Sequence, residues 1–164
     1  MVAPALVQSG VPDFAAHMFI FYYAVLSEVS PPTALSPFAA AALTGGNPFK
    51  TMLLTWKYTL PAFVVPLVFT LRPEGAGILL RGPLVTVVSS TATAAAGIAA
   101  LAGAFGGWIL GPVNRLGRAL LIVSGASFLY GGTTGALTGG ATAGLVLILQ
   151  SLAARDKEQV GRTR

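Results

Sequence analysis

Of 164 residues, 54% are hydrophobic and only 9% are charged, whereas a soluble domain carries about 25% charged residues; the mean hydropathy is +0.77. These values exclude a soluble enzyme or soluble binding module and point to an all-α integral membrane protein. The net charge of +5 does not indicate nucleic acid, because the basic residues stand at segment ends and in the tail rather than on one face interleaved with aromatics. With no cysteine, disulfides, thiol chemistry and a Cys-based metal site are unavailable and redox compartment cannot be read. Residues 1–10 have no basic n-region, so no signal peptide is expected there.

Apolar windows of roughly 20 residues give about four transmembrane or re-entrant helical units. The first covers residues 14–43. Its leading run, 15–26, has no acidic or basic side chain except His17, and its trailing run, 34–43, has none. Between them stand Ser27, Glu28, Val29, Ser30, Pro31, Pro32 and Thr33. At 1.5 Å per residue the two arms reach only about 20 and 15 Å, too short to cross a bilayer singly. The unit is therefore one discontinuous helix or a re-entrant hairpin.

Residues 27–33 are the candidate site. Glu28 is the lone carboxylate there, and a charge at mid-helix costs roughly 2.5 to 3.5 kcal/mol even on lenient scales, so it should face a partner, an ion or water. Pro31 and Pro32 supply no N–H and push their predecessors out of helical geometry. Carbonyls freed in this way survive at membrane depth only where they line a cavity or a site. Together with the side-chain oxygens of Ser27, Glu28, Ser30 and Thr33 they form an all-oxygen set suited to a hard cation such as sodium, while the amide end of a half-helix suits an anionic group. The plainer alternative is a proline kink capped by hydroxyls and holding no ligand.

The second unit, residues 51–71, is a full span kinked by Pro61 and Pro66, with Trp56 and Tyr58 where an interfacial aromatic belt would put them. Lys57, several residues inside it, either snorkels to the interface or pairs with Glu28. The third unit, 84–107, carries Thr91, Ala95, Ala99, Gly103 and Gly107 at intervals of four, a smooth stripe expected to pack against another helix. The fourth, 119–152, is interrupted at Gly131, Gly132, Thr133, Thr134 and Gly135, and is a hairpin of two half-length arms or one tilted span. As a hairpin it puts Lys50, Lys57, Arg115, Arg118, Arg155, Lys157, Arg162 and Arg164 on one side, against Arg72 and Arg81; as a single crossing the tally is four against six. The positive-inside bias favours the hairpin, with the 115–118 loop and the C-terminus cytoplasmic. Residues 153–164 form a basic tail, either solvated or touching lipid head groups.

Other motifs carry no chemistry. The glycine-rich run 131–140 lacks the Gly-Lys-Ser/Thr ending of a phosphate loop. His17 has only Asp13 within ligand spacing, so a satisfied histidine is expected rather than a metal site. Ser89, Ser90, Thr91 and Thr93 lack a base and an orienting partner for nucleophilic catalysis. No enzyme, no organic cofactor and no metal beyond sodium at residues 27–33 are expected.

The run from Ala15 through His17, Tyr22, Tyr23, Ser27, Glu28, Pro31 and Pro32 to Leu35, followed by 39–47 with the Gly45, Gly46, Asn47, Pro48 turn and by Trp56, Lys57 and Tyr58, closely resembles the C-terminal part of the large membrane subunit of TRAP transporters. It is most similar to the fused permeases that work with TAXI-class receptors. The resemblance is specific over residues 1–71, where 1–7 resembles the end of a re-entrant hairpin; residues 72–152 resemble only the hydrophobic C-terminal extension of such permeases. It implies a partial second inverted repeat of an elevator-type carrier, in which Ser27, Glu28, Val29, Ser30, Pro31, Pro32 and Thr33 contribute to sodium and substrate binding. It further implies a multi-pass protein of the cytoplasmic (inner) membrane whose partners are the lipid bilayer, the remaining part of the permease, a periplasmic or extracellular solute receptor and an organic-acid substrate. Such permeases are several times longer, so the chain is expected to be a C-terminal segment that does not transport alone. The alternative is a small helical membrane protein with an assembly or regulatory role, or a non-functional truncated gene product.

Overall fold

The computed structural model describes the backbone of residues 2–162 and, within that range, every side chain except Glu74 and those of 153–162. The side chains of the expected basic tail therefore lie outside the described residues. The described residues are all-α in character, with no regular β-strand. Three helical stretches, Pro48–Leu71, Leu84–Gly106 and Gly132–Leu152, are long and apolar enough to cross a membrane. The chain divides into two units, up to residue 91 and from residue 92.

In the first unit, α1 (Val2–Gln8) and α2 (Asp13–Leu26) are joined by a turn in which Gly10 takes φ +92°. After the break described below comes α3 (Leu35–Thr44), stopped by Gly45 in the left-handed region at φ 68°. Asn47 then opens α4 (Pro48–Thr59): its side chain accepts the Lys50 N–H at 3.0 Å, and Pro48 occupies the first turn, where no helical donor is missed. Pro61 and Pro66 interrupt the ladder as expected, so the chain passes through a 3₁₀ stretch, Leu60–Val64, before α5 (Val65–Leu71) resumes. The core of this unit is built on small or rigid residues: Ala15, Ala16, Ala34 and Ala41 are at most 1% exposed, with Pro66 and Phe69 between the helices.

One element here has no counterpart in the apolar windows. Residues Pro73–Leu79 form a 3₁₀ stretch that returns onto α5. Gly75 lies directly on the backbone of Val68 and Phe69, where any Cβ would overlap. Too short and too glycine-rich to register as a span, the stretch is held by contact rather than by hydrophobic length. Beyond it, Arg81 places its guanidinium 5.2 Å from the ring centre of Phe14.

The second unit contains most of α6 (Leu84–Gly106), α7 (Arg115–Tyr130) and α8 (Gly132–Arg162). Of the two arrangements open for residues 119–152, the chain adopts the hairpin: α7 and α8 run antiparallel around a turn at Gly131 and Gly132, φ 76° and 71°. The wholly buried Ser124 donates its hydroxyl to the Gly139 carbonyl at 2.7 Å, and Gly135 abuts the Ser127 carbonyl. The arms are not both half-length. The second is a full candidate span, Gly132–Leu152, because Gly135 is absorbed into α8, where a missing Cβ permits close approach rather than ending the helix.

The packing stripe on α6 also differs from expectation. Thr91, Ala95 and Ala99 are exposed; the buried face is Ala94, Gly97, Ala100, Leu101, Gly103 and Ala104. Spacings of three and four together, rather than four alone, follow a helix of 3.6 residues per turn, so a strict four-residue stripe drifts off the contact line. Along the true face Gly97 and Gly125 meet across the helices: a Cβ at Gly125 would lie 2.6 Å from Leu101 Cγ and 2.9 Å from the Gly97 carbonyl. Arg118, counted above only as a loop charge, reaches back to the end of α6, where its Nε donates to the Ala104 carbonyl at 2.7 Å and its Nη2 to that of Phe105 at 3.3 Å. These carbonyls stand in the last turn of α6, where intrahelical donors run out.

Two measurements test this arrangement. Gly125→Val should destabilise the protein by about 1 to 3 kcal/mol through overpacking in denaturant unfolding from mixed micelles, whereas Gly140→Val, with nothing within 4 Å of its Cβ, should stay within about 0.5 kcal/mol; equal losses would contradict the helix contacts. Cysteines at Gly111 and Leu152, in a chain with no native cysteine, should label from the same membrane face, and labelling from opposite faces would exclude the hairpin.

Candidate functional site

The break between α2 and α3 is where backbone hydrogen bonding departs furthest from the helical ladder. The last regular turn of α2 ends with the Ser27 N–H bonded to the Tyr23 carbonyl. Ser27–Val29 tighten into a 3₁₀ turn, and Ser30 is extended at φ −118°, ψ 147°, as a residue before proline must be. Pro31 and Pro32 then turn the chain through a cis peptide bond. Ala34, fully buried and left-handed at φ 42°, starts α3. Alanine rarely adopts that conformation, so nothing in its residue type marks it; in it the Ala34 N–H bonds the Ser30 carbonyl at 3.0 Å.

The polar residues divide into two groups. Ser27, Ser30 and Thr33 are drawn together: Thr33 Oγ1 donates to the Ser27 carbonyl at 2.6 Å and approaches that of Ser30 at 3.4 Å, while Ser27 Oγ donates to the Ala24 carbonyl at 2.6 Å. The carbonyls expected to be freed by the prolines are thus partly answered by local hydroxyls. A hydroxyl has one proton and two lone pairs, so Ser27 and Thr33, their protons committed to the backbone, can meet anything further only as acceptors. Glu28 is not part of this cluster. It is exposed on the 3₁₀ turn, and among the described residues the carboxylate that meets a basic side chain is Asp13, also exposed, with Oδ1 3.4 Å from His17 Nε2. Lys57 is likewise not its partner; the ammonium lies 5.4 Å from the Tyr58 ring centre. Val29 and Pro31 are half-buried and Pro32 is exposed.

The two ends of the break differ in electrostatic character. The α2 end presents carbonyls. The α3 end presents amides, and no side chain caps its first turn; such an uncapped amide end carries partial positive charge. A carbonyl-and-hydroxyl face, a carboxylate and an uncapped amide end, the last at Leu35 and Ser36, therefore occur within ten consecutive residues, 27–36. Sequence reading missed Ala34 and the absence of an α3 cap, because both depend on the path of the backbone rather than on residue type. Among the described residues no group of three or more His, Cys, Asp or Glu side chains is placed to hold a metal.

Residues 1–74 match the family model for the DctM component of the tripartite ATP-independent periplasmic transporter. The match covers α1 to α5 and ends within the 3₁₀ stretch that follows, leaving α6, α7 and α8 outside it. No curated protein and no solved structure matches the chain. The resemblance read from the Pro31–Pro32 segment and its flanks is thereby confirmed over residues 1–74 at the level of the large TRAP membrane component.

The division within the break has a direct test. Thr33→Val removes the proton held by the Ser27 carbonyl and should lower stability by about 1 kcal/mol, with faster amide exchange at Ala34. Glu28→Gln, at an exposed carboxylate with no ion pair among the described residues, should change stability by less than about 0.5 kcal/mol. A loss at Glu28 as large as at Thr33 would make the carboxylate structural.

Proposed function

We propose, from the premise that residues 1–74 are DctM-type permease sequence, that the chain works as a segment of a TRAP-type secondary transporter permease, contributing part of a sodium and organic-acid site to receptor-dependent uptake. The observation that carries this reading is the composition of the break: acceptor oxygens of Ser27, Ser30 and Thr33 beside an uncapped amide end of α3, with Glu28 exposed and uncommitted. Oxygen donors suit a hard cation, and the amide end suits a carboxylate. In this reading Glu28 and the hydroxyl-lined carbonyl end serve sodium, the first turn of α3 serves the acid, and Val29, Pro31 and Pro32 hold the break open. The membrane is the cytoplasmic one, with the hairpin ends and the C-terminus on the cytoplasmic side by the charge bias. The receptor is of the TAXI class, and the rest of the permease supplies the opposing half of the site.

A second reading rests on residues 92–162, which lie outside the family match and form a unit with its own buried cluster of Ala100, Ala104, Leu121 and Val146. Such a unit fits an assembly or regulatory role in the membrane. Co-purification with a larger permease segment but no effect of residues 27–33 on uptake would favour it.

Alternating access needs one body to move against another around a site between them, and the described residues contain one broken element of this kind. Reconstituted alone in proteoliposomes with a sodium gradient, the 164-residue chain is expected to show no saturable organic-acid uptake above empty vesicles. Combined with the remaining permease and receptor it should restore sodium-dependent uptake, and Glu28→Ala should weaken the sodium dependence at least tenfold, the equivalent of about 1.4 kcal/mol. Undiminished sodium dependence in that variant, at normal expression, would overturn the assignment.

A further inference from the structure

Phe63 stands in the 3₁₀ stretch ahead of α5, and the residue three positions on, Pro66, has no N–H to give its carbonyl. An acceptor left open in this way at membrane depth needs a donor from elsewhere. It finds one 40 residues away in sequence: Tyr23 Oη donates to the Phe63 carbonyl at 2.7 Å, in a half-buried setting. The rings reinforce the link. The Tyr23 ring lies tilted against that of Phe19, one turn earlier on α2, with centroids 4.7 Å apart, and 6.0 Å from the ring of Phe63.

Tyr23 is also the residue whose own backbone carbonyl receives the Ser27 N–H at the edge of the break. One residue is thus bonded at its main chain to the first residue of the candidate site and at its side chain to the second proline break. The 3₁₀ turn Ser27–Val29 packs in addition against α3 and α4. We propose that Tyr23 is a positioning residue for residues 27–33: by donating to the carbonyl that Pro66 leaves open, its hydroxyl clamps the end of α2 to the α4–α5 span, so that the broken helix and the kinked span move as one body. This rests on the site assignment above only for its functional consequence; the clamp itself is a statement about geometry.

The test uses the full chain in lipid bilayers. Ser30→Cys places a single, half-buried thiol inside the break, and its reaction with a water-borne maleimide reports local opening. Tyr23→Phe keeps the ring and removes the donor; it should raise the labelling rate about five- to tenfold, the effect of losing one hydrogen bond and leaving its acceptor unpaired. Pro66→Ala restores an N–H three residues from Phe63. In that background Tyr23→Phe should change the rate less than about twofold, because the carbonyl has a donor in its own segment; the difference between the two effects is the coupling a double-mutant cycle isolates. An effect of Tyr23→Phe that is absent, or equal in both backgrounds, would overturn the clamp. If Ser30→Cys itself disturbs the break, amide exchange across residues 27–34 carries the same comparison, with unchanged exchange in Tyr23→Phe as the overturning result. Protection of the Ser30→Cys thiol by sodium in the Tyr23 chain is scored separately and bears only on the ion reading, so failure of one leaves the other measurable.

Discussion

In hydrocarbon no water is available to satisfy a backbone carbonyl, and the structure of this chain is largely a set of answers to that constraint. At three places where the helical ladder is cut, a side chain supplies a donor. Thr33 meets the Ser27 carbonyl at the first break, Tyr23 meets that of Phe63 at the second, and Arg118 meets those of Ala104 and Phe105 where α6 ends. Ser124, buried completely, ties α7 to α8 through the Gly139 carbonyl. Each bond is modest in isolation, about 1 kcal/mol, yet leaving its acceptor unpaired costs more than the bond contributes. The donors therefore determine where the chain can break.

Close approach is the second device. Burying apolar area cannot drive helix association among lipid tails, so contact depends on letting backbones near one another. Gly97 and Gly125 do this between α6 and α7, Gly135 and Gly139 between α7 and α8, and Gly75 between the return stretch and α5. The large exposed side chains, such as Phe21, Leu43, Val85 and Leu110, are those expected on a surface that meets lipid. Glycines placed against carbonyls and rings act here as contact residues, a role composition alone would have assigned to loops.

The candidate site draws on both devices. Its hydroxyls stabilise the break while retaining lone pairs, and its α3 end is left without a cap, so the carbonyl end and the amide end differ in the ligands they suit. A wholly self-satisfied kink would bring a capping side chain to both ends; here only one end has it. The family match over residues 1–74 gives that difference a context in transport, and the unit beyond residue 91 is stabilised by separate contacts of its own.

Much of this was legible without coordinates. Hydropathy and length sufficed for the membrane class and the spans at 51–71 and 84–107, and the proline positions marked both breaks, because the ring removes a donor whatever surrounds it. The sequence by itself likewise singled out residues 27–33, since a lone carboxylate between two apolar arms stands out in any context. Tertiary structure alone decided which oxygens come together and which stand apart. It separated Glu28 from Ser27, Ser30 and Thr33, put Ala34 in the left-handed region, chose the hairpin over the tilted span and moved the packing face of α6 from Thr91, Ala95 and Ala99 to Ala94, Gly97, Leu101 and Ala104. It also joined Tyr23 to Phe63 across 40 residues. The physical reason is common to all five: residue type dictates whether a local donor exists, but which acceptor it reaches, and which face of a helix is covered, depends on what the rest of the chain brings alongside.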